Sequence, residues 1–462
     1  MKKLLMLAAA LVLGSSLVFA GGNRQPGGGA KTVVRLGIWP EDIYPDDIAL
    51  HEAYVKQFNQ KYPNVTLQPA HYSYAVDTFV PMAEAGQVPT IFSSWYTEPP
   101  KLIGGGFVRD ITNEMKALGW DTKMEESVKA LITRDGRLYG FPVEAYSLGL
   151  HLNVALFREA GLVDANGLPR YPKTWDELAA AAQTIKQKTG SAGLVLLAKD
   201  NAGGWHFSNI AWCFGAQFEV QRNGRWVAQL NSPEVIEAMN YVRDLKWKYD
   251  VLTSDPTSED WSSGYQKIGT GLAAMYMGAQ DGVSQPTYVN GLPIEDLSLV
   301  PIPAGPKGQY GLMGGNIYMF AKNASSEEVT AALHYIEIMG RAPVVTETSI
   351  AGLRAGAENN KKQGIPNVPN IPAWNDAAYL KAVDDARNAF ANVDMRLYND
   401  FYTAVKRPGY LRPEEPMLVQ DMYAELTKVL QAVLTDRNAN VKALLDTAQQ
   451  NFQRLLDSQV NN

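Results

Sequence analysis

The chain has 462 residues, a formal net charge of −6 and one cysteine, Cys213. A lone thiol excludes an intrachain disulfide framework and any multi-thiolate metal site, and the scattered Lys and Arg leave no basic stripe for nucleic acid. The length suits two or three domains. Its 10 Trp and 22 Tyr are a load of amphipathic rings that serves a binding cleft as well as a core.

Lys2 and Lys3 precede an apolar run over 4–19, broken by Gly14, Ser15 and Ser16, with compact residues at Val18 to Ala20. This reads as a signal peptide over 1–20, too short for a comfortable membrane span of roughly 20 apolar residues. A Gly-rich flexible leader over 21–30 follows. No cysteine stands near the cleavage point, so a lipid anchor is not expected. The mature protein is expected to be exported to the periplasm or the extracytoplasmic face.

Residues 32–39 read as a strand ended by Pro40. Ile48, Leu50, Tyr54, Val55 and Phe58 recur near helical spacing, which predicts a helix over 46–62 stopped by Pro63. A second strand follows at 65–67, and 89–92 leads into a third. Strands alternating with helices at this pitch predict a parallel sheet with crossover helices. Further on, 138–143 and 147–152 are extended. A helix spans 174–189 behind a capping box of Thr174 and Glu177. A strand at 193–197 precedes a helix over 232–249, capped by Ser232 with Pro233 in its first turn. Strands at 272–277 and 297–300, an extended run at 312–321 and a helix at 325–339 complete the pattern. From 373 the chain reads almost wholly as helix, with breaks near Pro408, Pro413 and Asn438. The class is α/β with a helical C-terminal third.

The order of local motifs resembles a known family. FNQKYPNV at 58–65, AGQVPTIF at 85–92 and DGRLYGFP at 135–142 come first. PKTWDEL at 172–178 is the sharpest single piece, and GTGLAAM at 269–275 follows. Gly314 and Gly315 before a strand, with Ser325, Ser326, Glu327 and Glu328 opening a helix, close the series. Together they resemble the extracellular solute-binding proteins of ABC importers, the family that includes the maltose-binding protein. One departure is Thr90, where that family carries an Asp.

The resemblance implies a two-lobed periplasmic-binding-protein type II fold with a cleft between the lobes. It places an N-terminal lobe at 31–143 and 316–370 and a C-terminal lobe at 144–315 and 371–462. It also implies a non-enzymatic, monomeric protein without cofactor or metal. Such a protein captures a sugar, best an oligosaccharide, by hinge closure and delivers it to the membrane subunits of an ABC transporter.

Ligand-binding residues in such lobes belong at the carboxyl ends of strands. Trp39, Glu41 and Tyr44 follow the first strand, and Ser93, Ser94 and Trp95 follow the third, where hydroxyls beside rings suit a sugar. By resemblance, Glu144 aligns with a family cleft carboxylate, and Tyr146 shares its face if the segment is extended. Trp205, after Gly203 and Gly204, stands where the family carries a stacking aromatic. Gln280 and Asp281 stand where the maltose-binding protein has a stacking Trp, so that subsite differs. Gly315 and Asn316 sit at the return crossover. Trp212, Trp261 and Tyr265 read as core or helix surface.

Other chemistry finds little footing. Gly269, Thr270 and Gly271 with Ala274 mimic a dinucleotide fingerprint in the reversed context. No Gly-x-Ser-x-Gly, His-Glu-x-x-His or P-loop occurs, and the five histidines are scattered. Two rivals stay open: the same fold holding a peptide, polyamine or other solute, and a secreted carbohydrate-active enzyme using Glu41 and Glu144 as paired carboxylates. A strongly charged ligand would need an opposing cluster, and the strand-end loops offer none.

Overall fold

The computed structural model describes residues 31–461. The expected signal peptide (1–20) and leader (21–30) lie outside the described residues. Alternating strands and helices build one continuous sheet. Its first part is parallel: Thr32–Gly37 lies between Val65–Pro69 and Ile91–Trp95. The long strand Gly140–Asn153 then runs antiparallel to the return strand Gly311–Phe320, which also borders Ile91–Trp95. Beyond them lie Ala273–Ala279 and Ala192–Val195.

Two apolar cores flank this sheet. One collects Val34, Phe58, Phe92, Trp120, Phe141, Phe320, Ile336 and Trp374. The other collects Leu150, Trp175, Ile210, Trp212, Met275, Leu426 and Phe452. The strand Gly140–Asn153 feeds both, Phe141 to the first and Leu148 to the second, so the chain passes from one core to the other around Glu144.

Most predicted elements appear within a few residues of their expected ends. The helix Trp175–Thr189 begins at Thr174, whose hydroxyl accepts the Glu177 amide at 3.2 Å. The reciprocal arm of the expected capping box differs: the Glu177 carboxylate accepts from the Lys173 amide at 2.7 Å, one residue upstream. The helices Asp200–Cys213 and Glu347–Gln363 were not anticipated. Both carry small or polar residues that blur the periodic apolar signal (Gly203 and Gly204; Asn359 and Asn360). The segments from 140 to 143 and 147–152 merge into the one strand Gly140–Asn153, while Leu138 pairs with Thr133 in a separate short hairpin. The helical C-terminal third contains a short strand, Leu411–Pro413, paired to the return strand. Among the described residues, no helix is long and apolar enough to cross a membrane. No group of three or more His, Cys, Asp or Glu among them is placed to hold a metal ion.

Candidate functional site

Where the two cores meet, one face of the sheet opens into two chambers. Ser93 and Trp95 alternate along one strand and Asn316 and Tyr318 along its neighbour, so each strand presents one residue to each chamber. The first chamber is a cavity of about 450 Å3 walled by rings: Trp95, Tyr146, Trp205, Trp261 and Tyr423. Asn201, Asp281, Asn316, Glu414 and Gln420 supply its polar atoms. The second, about 500 Å3, is lined by Trp39, Glu41, Tyr44, His51, Tyr72, Ser93 and Arg341, among others.

Bare backbone creates the first chamber. A Cβ on Gly204 would lie 2.3 Å from the Tyr423 carbonyl oxygen, so only glycine lets the helix Asp200–Cys213 lie flush on the helix Val419–Thr435. The Gly204 amide donates to the Thr427 hydroxyl at 2.8 Å and locks that contact. Trp205, Asn201, Gln420 and Tyr423 then line the cavity, with Asn201 donating to Gln420 at 3.0 Å. Gly314 does the same for Tyr146, whose ring would meet an added Cβ at 2.4 Å. Trp95 and Trp261 stay 37% and 41% exposed, so stacking faces remain open to solvent.

Enclosure sets the electrostatics. Burial pushes the Glu414 carboxyl up to about 8, against a hydrogen bond that Tyr423 donates to it at 2.9 Å. Burial, then the nearby Glu144, raises Asp281; burial raises Glu144 as well, opposed by Arg341. Near neutral pH Glu414 is largely protonated, able both to donate and to accept hydrogen bonds. That is the bonding a ring of hydroxyls needs.

Of the residues expected at the site, Trp95, Tyr146, Trp205, Asp281 and Asn316 line the aromatic chamber, and Trp39, Glu41, Tyr44 and Ser93 line the second. Glu144 pairs in register with Asn316 and acts electrostatically on both Asp281 and Arg341, which sets it between the chambers. Three others are turned inward. Ser94 is buried, its hydroxyl without a hydrogen-bond partner among the described residues. Gln280 is buried too, accepting from the Ser147 amide at 2.7 Å and donating to the Ala145 carbonyl at 3.4 Å, and so pins the long strand. Gly315 packs under the Tyr96 ring, where an added Cβ would close to 2.4 Å. Trp212 and Tyr265 are fully buried, whereas Trp261 faces the aromatic chamber. Asn201, Glu414, Gln420, Tyr423 and Arg341 were not anticipated. The one local signal was the acidic pair Glu414 and Glu415 between two prolines.

The sequence profile of bacterial extracellular solute-binding proteins matches residues 47–341. The chain belongs to this family. A protein of Brucella abortus (strain 2308), named only as a candidate binding protein, is 26% identical over 211 residues, 44% of this chain and 47% of that protein. The chain thus spans about half the length of the curated relatives it matches. Solved structures of the same fold align over nearly the whole chain. Maltose-bound MalE3 of T. maritima gives a TM-score of 0.69 at 18% identity, over 92% of this chain and 99% of that one. The GacH receptor of Streptomyces glaucescens, studied with acarbose, gives 0.69 at 17% identity, over 93% and 99%. UgpB from Mycobacterium tuberculosis, bound to glycerophosphocholine, gives 0.67 at 18%, over 94% and 100%. The fold is therefore the two-lobed α/β solute-binding fold with a helical C-terminal region.

Proposed function

We propose that this chain is the exported ligand-capture component of an ABC importer, and that its ligand is an oligosaccharide handed to the transporter's membrane subunits. The observation that carries the reading is the aromatic chamber: three Trp and two Tyr beside enclosed carboxyls and amides, the mix of stacking faces and hydroxyl partners that a sugar needs. Family membership supports the capture role, and the maltose and acarbose named for two structural neighbours agree with a sugar.

The protein acts as a monomer of two lobes, 31–143 with 316–370 and 144–315 with 371–462, closing about the strand crossings. The partition of the apolar cores supports this division. Ile371, Trp374 and Tyr379 pack on the first core, which carries that lobe's share of the third crossing slightly further. Ligand that bridges both lobes stabilises the closed state by its differential contacts. No covalent step is assigned to Glu41 or Glu144.

Thermal unfolding of the mature protein with oligosaccharides, peptides and polyamines tests the reading. A specific saccharide at a hundredfold excess over its Kd adds about 2.7 kcal/mol of stability and is recovered intact. A response to peptides or polyamines alone would overturn the sugar assignment, and recovery of a cleaved saccharide would overturn the non-enzymatic one.

A further inference from the structure

The second chamber holds a cation without an ion-pair partner among the described residues. Arg341 follows the helix Ser326–Ile338 and lines the cavity. Solvent reaches it, although the surrounding walls desolvate it. Its guanidinium donates to the Tyr318 hydroxyl at 2.5 Å. Among the described residues, no carboxylate comes within the 4.0 Å of an ion pair.

Asp47 and Glu41 line the same chamber, and Asp47 feels the Arg341 charge, yet neither forms an ion pair with it. Asp47 accepts from Asn359 at 2.7 Å and from Gln363 at 3.3 Å. Glu41 stays out on an exposed turn, and Glu144 acts only through space from the neighbouring strand. His51 adds no second cation, since burial, helped by Arg341, lowers it to about 3. Tyr72 lines the same cavity, with its hydroxyl sealed from solvent and without a hydrogen-bond partner among the described residues.

A carboxyl in a closed space sheds its charge by taking a proton, but a guanidinium stays charged. Glu414 can therefore go neutral, while Arg341 keeps its demand for an anion. A planar fork without an ion-pair partner fits an oxyanion, two of whose oxygens it can hold at once.

We propose that the Arg341 chamber receives an anionic substituent of the ligand, a carboxylate or a sulfate, so that the cargo is an acidic oligosaccharide whose rings stack in the aromatic chamber. The assignment rests on the saccharide reading above and narrows it.

Calorimetric titration with matched neutral and acidic disaccharides tests it: α-1,4-galactobiose against digalacturonate, cellobiose against cellobiouronate, and a sulfated disaccharide against its desulfated form. The wild type should prefer an acidic member of one pair by roughly 10- to 100-fold, the worth of a charge-assisted hydrogen bond. Whether carboxylate or sulfate wins identifies the anion. Arg341→Gln should abolish that preference and Arg341→Lys should keep part of it, with each variant's ligand-free melting temperature showing that it folds. If Gln substitution unfolds the chain, Lys alone decides, because a compact ammonium cannot hold two oxygens in a fork and must lose part of the preference. Equal binding of neutral and acidic partners, or a preference untouched by the Arg341 variants, overturns the inference and leaves the sugar reading standing. Silence with every saccharide overturns both.

Discussion

In the aromatic chamber the ionisable groups are carboxyls, Glu414 and Asp281, whereas the neighbouring chamber sets the guanidinium of Arg341, without an ion pair among the described residues, beside Glu41 and Asp47. The carboxyls respond to enclosure by rising toward the neutral range, and their environment is otherwise rings and amides. Arg341 is held charged by the Tyr318 hydroxyl against desolvation, with Glu144 adding to the effect. The first chamber is thus shaped for surface and hydroxyls, the second for charge. A ligand spanning both would take affinity from one and selectivity from the other.

The comparison breaks most visibly at Trp205. Trp205→Ala should weaken binding of neutral and acidic saccharides alike, by about 2 kcal/mol or roughly 30-fold, because stacking is indifferent to a remote charge. A loss confined to acidic ligands, read by calorimetry, would show that the two chambers do not divide the work. Next comes the wall itself. Gly204→Ala forces a methyl against the Tyr423 backbone and should cost about 2 kcal/mol of stability in denaturant titration. An unchanged midpoint would mean that the two helices are not held at this distance.

The pH dependence of the ligand-free protein carries two opposing signs. Glu414 and Glu219, both raised to about 8, bind protons in the folded state that the unfolded chain has released, so their contribution falls as pH rises from their ordinary 4.5 toward 8. His51, lowered to about 3, and His151 and His206, lowered to about 4, act oppositely below 6.5: there the unfolded chain binds the extra protons, and stability rises with pH. The melting temperature should therefore decline between pH 6.5 and 8, and Glu414→Gln should flatten part of that decline. A variant with the wild-type slope would show that Glu414 ionises freely. The smallest effect belongs to Tyr44, which accepts from Gln285 at 2.7 Å. Tyr44→Phe should change ligand affinity by only about 0.5–1 kcal/mol, with X-ray scattering showing a slightly more open ligand-free ensemble. A change beyond tenfold would make Tyr44 a direct contact instead.

Much of the fold was legible because its elements announce themselves locally. Ser232 with Pro233 and Ser325 with Glu328 mark helix starts by chemistry that the structure uses, the hydroxyls accepting the Val235 and Glu328 amides. Strand ends likewise pointed to Trp39, Ser93 and Trp95 at the chamber walls. Face assignment within those strand ends was harder. Ser94 stands beside chamber residues in sequence yet turns into the protein, since a one-residue step on a strand reverses the side chain. Gln280 opens a helical turn after Ala279, where the Ser147 amide and Ala145 carbonyl hold it inward. Glu414, Gln420, Tyr423 and Arg341 escaped for a different reason. They reach the chambers from helix ends and turns far along the chain, and no local pattern encodes which distant sheet those ends will meet.

The seating of the helix Val419–Thr435 on Gly204 also bears on the order in which the protein comes into being. The second core takes Val419, Leu426, Leu445 and Phe452 from residues made after 418, and the same stretch brings Gln420 and Tyr423 to the chamber wall. Residues up to 379 already suffice for the first core, so it can condense while the second still waits for its closing helices. Binding competence therefore arrives last, and a chain cut short before Val419 would keep the Arg341 side of the cleft while lacking the wall against which a sugar ring could stack.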